Sequence, residues 1–164
     1  MSNAAAYRAL VADPSTHMAA LAATMLRGLK FRTIDATLDL AQTAESLRRF
    51  PYALVLIDEK LGGPAGYALI RALRTSSGHA NRTTPIFMMA AAPGAAMISQ
   101  ARDAGITEFL RTPFSADDVR VRLDTFLTSP RPFVEADSFT GPDRRRHRET
   151  AEGEKRRASD RSGS

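Results

Sequence analysis

Residues 52–58 are apolar or aromatic for six positions and then stop on Asp58, with Gly62-Gly63-Pro64 close behind. An unbroken apolar run of this length suits a strand covered on both faces, and the glycines and proline break it. Tyr7 to Asp13 repeats the arrangement and leads into Pro14-Ser15-Thr16, a favourable helix start. Met18, Leu21, Ala22, Met25, Leu26 and Leu29 then recur at helical spacing, predicting a helix that ends near Gly28 to Lys30. Phe31 to Thr37 is a weaker strand, and Leu38 to Phe50 is a helix that Pro51 stops. A loop over Gly62 to Gly66 precedes a helix from Tyr67 to Arg74, and a polar loop follows from Thr75 to Thr84. Pro85 to Ala90 is the fourth strand, and a helix from Pro93 to about Ala104 is closed by Gly105. Thr107 to Arg111 is the fifth strand, and Ser115 opens a last helix carrying Val119, Leu123, Phe126 and Leu127. Five strands alternating with five helices predict an α/β three-layer sandwich around a parallel sheet.

In such sheets ligands sit outside the carboxyl ends of the strands, which places Asp13 and Asp58 at the functional edge. Asp58 can also serve simply as a cap for the helix after the loop. The 164 residues contain no Cys, and His17, His79 and His147 are scattered, so no disulfide framework, thiolate zinc site or Cys nucleophile is available. No signal-like or membrane-spanning run is present, which predicts a cytoplasmic protein. Met88 and Met89 are expected in the core, and the Asp117-Asp118 pair in the first turn of the last helix.

From Ser129 the composition changes. Few apolar residues remain, and residues 137–164 hold eight basic and six acidic side chains, so disorder or loose docking is expected over 129–164. The net charge of +5 is therefore less informative than the arginine pattern, Arg144-Arg145-Arg146-His147-Arg148 and later Arg156-Arg157-Ala158-Ser159-Asp160.

Over roughly residues 6–128 the chain resembles the CheY-like receiver domains of two-component response regulators. The likeness rests on Asp13 after strand 1, Asp58 after strand 3 with Gly66 eight residues on, Pro85 opening strand 4, Asp103-Ala104-Gly105, and Thr112-Pro113-Phe114 after strand 5. It implies a receiver domain over 1–128 with strand order 2-1-3-4-5, the order for which CheY is the known example. It further implies Asp58 as phosphoacceptor, and Asp13, Asp58 and the Lys60 main-chain carbonyl as ligands for Mg2+. The family's hydroxyl after strand 4 is replaced by Ala90 and its lysine by Thr112, and Ala12 or Pro14 stands where a second acid would neighbour Asp13. Phosphoryl transfer depends on positioned charge, so weak or absent phosphorylation and weak metal binding are expected.

The tail resembles the arginine-rich segment of CheY-like c-di-GMP effectors. Arg144 to Arg148 has RxxxR spacing and Arg157 to Asp160 reads RxxD, which implies Arg144, Arg145, Arg148, Arg157 and Asp160 as ligand residues. Guanidinium suits this role because it pairs bidentately with phosphate and stacks on a base. The expected protein is a single-domain receiver with no enzyme activity beyond autocatalysed phosphoryl uptake. Its partners would be a sensor histidine kinase and a target docked on the face from Ala95 to Leu127, with nucleic acid disfavoured by the six tail acids. The alternative reading is an ordinary phosphorelay receiver switched at Asp58, its tail a solvated or nucleic-acid-attracted extension.

Overall fold

A computed structural model of the chain describes residues 7–136 and 138–144. Five strands, β1 (Arg8–Ala12), β2 (Thr33–Thr37), β3 (Leu54–Asp58), β4 (Ile86–Ala90) and β5 (Glu108–Arg111), pair in parallel in the order β2-β1-β3-β4-β5. Five helices connect or follow them: α1 (Thr16–Gly28), α2 (Leu40–Arg49), α3 (Gly63–Thr75), α4 (Ala95–Ala104) and α5 (Ala116–Thr128). This is the expected α/β sandwich.

Strand alternation divides the core into two layers. Leu10, Val55, Ile57, Ile86 and Met88 pack with Leu47 of α2, Ile70 and Leu73 of α3, and Ala101 of α4. Ala9, Val11, Leu54, Leu56, Phe87 and Met89 face the other way, against Ala22 and Leu26 of α1 and Val119 of α5. Met88 and Met89 are core residues, as expected.

The helix ends follow their sequence signals. The Ser15 hydroxyl accepts from the Met18 amide at the start of α1. At α5, Ser115 and Asp118 form a reciprocal capping box, so the Asp117-Asp118 pair has the helix-start role read from the sequence. Gly105 ends α4 at φ 112°, where a side chain would be strained and would collide with Arg74 Cγ.

One boundary differs from expectation. The stretch from Gly63 to Gly66, expected as loop, is already helical, with Pro64 in the first turn of α3. A Cβ on Gly66 would lie 2.0 Å from the Leu61 carbonyl oxygen, so this glycine lets the preceding turn approach the helix and is no breaker here.

The larger correction concerns the segment after α5. Within the segment expected to be disordered or loosely docked from residue 129, β6 (Phe133–Ala136) and β7 (Phe139–Pro142) form an antiparallel hairpin, so disorder does not describe these two strands. The hairpin packs on the C-terminal ends of α3 and α4 and buries Phe139 to 8% exposure. Arg131 pairs with Glu108 at 3.0 Å, and Arg82 with Glu135 and Arg144 with Asp103 close further ion pairs. Among the described residues, no helix is long and apolar enough to cross a membrane.

Candidate functional site

The carboxyl ends of β1 and β3 bring Asp13 and Asp58 to one cleft of about 360 Å³. Its remaining polar lining comes from Ser15, Glu59, Lys60 and Thr112, and its apolar wall from Met18, Leu21 and Met25 of α1 with Met89 and Phe114. The α1 wall was legible only as a helical stripe. Leu21 is 44% exposed and Met18 41%, so that stripe serves both the core and the rim of the cleft.

Asp13 is 4% exposed and sits just past β1, where its amide donates to the Thr37 carbonyl. Its Oδ1 accepts from the Ser15 amide at 2.8 Å. Burial pushes the Asp13 carboxyl above its ordinary range and the Asp58 charge adds to this, against the Ser15 hydrogen bond and the positive charge of Lys60. Asp58 ends β3 half-buried, and its Oδ1 accepts from the Lys60 amide at 2.9 Å. It thus caps the single 3-10 turn Glu59–Leu61, and the capping role and a place in the cleft coexist in one side chain.

The cations are sparse here. Lys60 is the sole basic residue that lines the cleft among the described residues. Thr112 stands at the cleft with Pro113, its amide donating to the Ala90 carbonyl at 2.9 Å. Arg111 lines a neighbouring recess with Asp118 and Arg122 that shares Thr112, Pro113 and Phe114 with the cleft. It is not among the residues that line the cleft of Asp13 and Asp58. Ala90 is 1% exposed and buried at the end of β4, and the residue that reaches the cleft is Ala91, so neither position supplies a hydroxyl.

Two carboxylates and one main-chain carbonyl suit a small oxygen-seeking cation, since magnesium commonly uses one or two carboxylates and completes its shell with water and phosphate oxygens. No group of three or more acidic or imidazole side chains that could hold a metal occurs among the described residues. The donor set is therefore at the low end of what Mg2+ accepts, and the Lys60 ammonium adds a repulsive charge.

Of the tail's candidate ligand residues, only Arg144 is described. Its guanidinium lies 4.2 Å from the centre of the Phe139 ring and pairs with Asp103 at the end of α4. Arg145, Arg148, Arg157 and Asp160 lie outside the described residues.

The response regulator receiver domain family matches residues 9–124. The chain belongs to that family. Solved receivers share its fold: the receiver domain of a sensor histidine kinase from Pseudomonas aeruginosa, with a magnesium ion coordinated in its active-site cleft, is 24% identical at a TM-score of 0.64, covering 75% of this chain and 98% of that one. The chemotaxis protein CheY4 of Vibrio cholerae is 18% identical at 0.61, covering 71% and 95%. DrrB of Thermotoga maritima, an OmpR/PhoB homolog, is 14% identical at 0.62, covering 80% of this chain, which spans only 57% of the length of DrrB. No curated protein matches the sequence.

Proposed function

We propose that this receiver works in two-component signalling by docking on a protein partner, with weak or absent phosphorylation at Asp58 and with c-di-GMP, held by the C-terminal arginines, as its second input. The observation that carries the first half is the composition of the cleft. Three carboxylates, those of Asp13, Asp58 and Glu59, line it together with Thr112 and Ala91, and the one ammonium among the described lining residues belongs to Lys60. An incoming phosphoryl group brings further negative charge to Asp13 and Asp58, and its stabilisation rests on positioned cations and donors that β4 and β5 do not supply. Mg2+, held by Asp13, Asp58 and the Lys60 carbonyl, would offset part of that charge. The residues of this chain would do the rest: Ser15 fixes the Asp13 carboxylate through its amide, and the apolar α1 wall limits water on one side.

The face formed by α4, β5 and α5 is the proposed docking surface for the partner, with a sensor histidine kinase as the upstream candidate. Val121 and Leu127 of α5 are 48% and 66% exposed, which leaves apolar contact area on that helix.

Support for the second input is the arginine spacing together with Arg144, whose guanidinium plane is already stacked on an aromatic ring. One purified sample tests both halves. Beryllofluoride with Mg2+ should produce little spectral change, while c-di-GMP should bind saturably, with favourable enthalpy set against unfavourable entropy as the tail orders. Strong, saturable, magnesium-dependent change at Asp58 would restore the ordinary phosphorelay reading. Equal binding of c-di-GMP, GTP and a random oligonucleotide, with one steep salt slope, would reduce the tail to a polyanion attractor.

A further inference from the structure

A second recess, of about 290 Å³, lies at the opposite end of the sheet from the carboxylates, between the C-terminal ends of α3 and α4 and the hairpin. Arg71 and Thr75 line it from α3, Asp103 from α4, and Ser138, Thr140 and Arg144 from the hairpin and the residues beside it. Two guanidinium groups and three hydroxyls surround a space with one carboxylate. Phe139, buried at 8% exposure, lines the recess, and the Arg144 guanidinium lies 4.2 Å from the centre of its ring, which gives that cation an aromatic neighbour as well as an anionic one.

The ion pair of Arg144 with Asp103 is decisive for how this recess would work. A carboxylate and a phosphodiester both carry one negative charge and present oxygens to a guanidinium fork, so they compete for the same donors. We propose that the recess is the seat of one phosphodiester group of a cyclic dinucleotide. Arg71 and Arg144 supply the charge, Ser138 and Thr140 supply donors, the Thr75 hydroxyl stays bonded to the Arg71 carbonyl of its own helix, and Asp103 is the internal occupant that the ligand displaces. This rests on the c-di-GMP reading and deepens it, by adding Arg71 to the ligand residues and by assigning a consequence to binding. Asp103 belongs to the last turn of α4, so the exchange of partners at Arg144 frees a charge on one element of the proposed docking face.

Titration calorimetry of the full chain with c-di-GMP tests this, using Arg71→Ala, Asp103→Asn and Arg27→Ala. Arg71 and Asp103 are exposed, so the substitutions leave the core intact, and circular dichroism checks the fold. Arg27 ends α1, in the helix layer on the other side of the sheet. Affinity should fall about tenfold, or 1.4 kcal/mol, in Arg71→Ala. It should rise several-fold in Asp103→Asn and stay within about twofold in Arg27→Ala. Equal losses in Arg71→Ala and Arg27→Ala, or unchanged or weaker binding in Asp103→Asn, would overturn the assignment of the recess while the wild-type chain still binds. No saturable binding by the wild-type chain would overturn the c-di-GMP reading itself.

Discussion

The two ends of the sheet solve opposite electrostatic problems. At the carboxyl end, Asp13 and Asp58 share a cleft with one ammonium and no guanidinium. At the amino end, Arg74 of α3 is fully buried with no carboxylate partner among the described residues, yet its guanidinium donates to the carbonyls of Gly105 at 2.9 Å, Arg82 at 2.7 Å and Thr84 at 2.8 Å. Burial lowers the Arg74 pKa to about 10, so it remains charged at neutral pH. No buried side-chain polar atom among the described residues lacks a hydrogen-bond partner. The buried cation is saturated by oriented carbonyls and ties α3 to the turns that lead into β4 and β5. The acids are held less completely, and that difference separates a structural charge from groups left open for a ligand.

The contrast is broken most severely at Arg74. Arg74→Leu should cost about 3 kcal/mol or more, read from the midpoint of urea unfolding, because at least three buried carbonyls lose their donor. A loss below about 1 kcal/mol would mean that water replaces the guanidinium readily and that the amino end is no more saturated than the cleft.

The hairpin sharpens the comparison from the same end. Ending the chain at Thr128 removes the burial of Phe139 and the ion pairs of Arg131, Glu135 and Arg144, and should cost about 2 kcal/mol. An unchanged thermal midpoint would show that β6 and β7 rest on the domain without stabilising it.

A smaller effect of opposite sign is expected in the cleft. Asp13 has a folded-state pKa above its unfolded value, so the native state binds its proton more readily than the unfolded chain does. Stability then falls as pH rises through that window, and the ionised Asp13 is a net cost at neutral pH. Asp13→Asn, which keeps an oxygen for the Ser15 amide, should raise the thermal midpoint by about 2 °C at pH 7. The gain should shrink as pH drops through the carboxylate range. A destabilised variant at pH 7 would show that the Asp13 charge is held by partners that the geometry does not reveal.

How far the sequence disclosed all this depends on the kind of signal. The three central strands were legible because Ala9 to Ala12, Leu54 to Ile57 and Ile86 to Ala90 are apolar on both faces, as a covered parallel sheet demands. Asp13 and Asp58 were legible as acids at strand ends. The hairpin was not, since its hold on the domain comes from one phenylalanine, a close approach of Gly141 to Gly105, and ion pairs between residues as far apart as Arg82 and Glu135. Arg74 gave no signal either, because a lone arginine in a helix reads as a solvated side chain until the carbonyls around it are known. Ala90 ends β4 and Ala91 after it lines the cleft, and that neither carries a hydroxyl was legible from the residue types alone.

The central claim is that the cleft retains its acids but lacks the groups that make Asp58 an efficient phosphoacceptor. The direct test is a time course of phosphorylation by acetyl phosphate with Mg2+ on the wild-type chain and on the double variant Ala90→Thr with Thr112→Lys. The account predicts little labelling of the wild type and at least about tenfold faster labelling of the double variant, confined to Asp58. Rapid, saturable labelling of the wild type at Asp58, with no gain in the double variant, would contradict it.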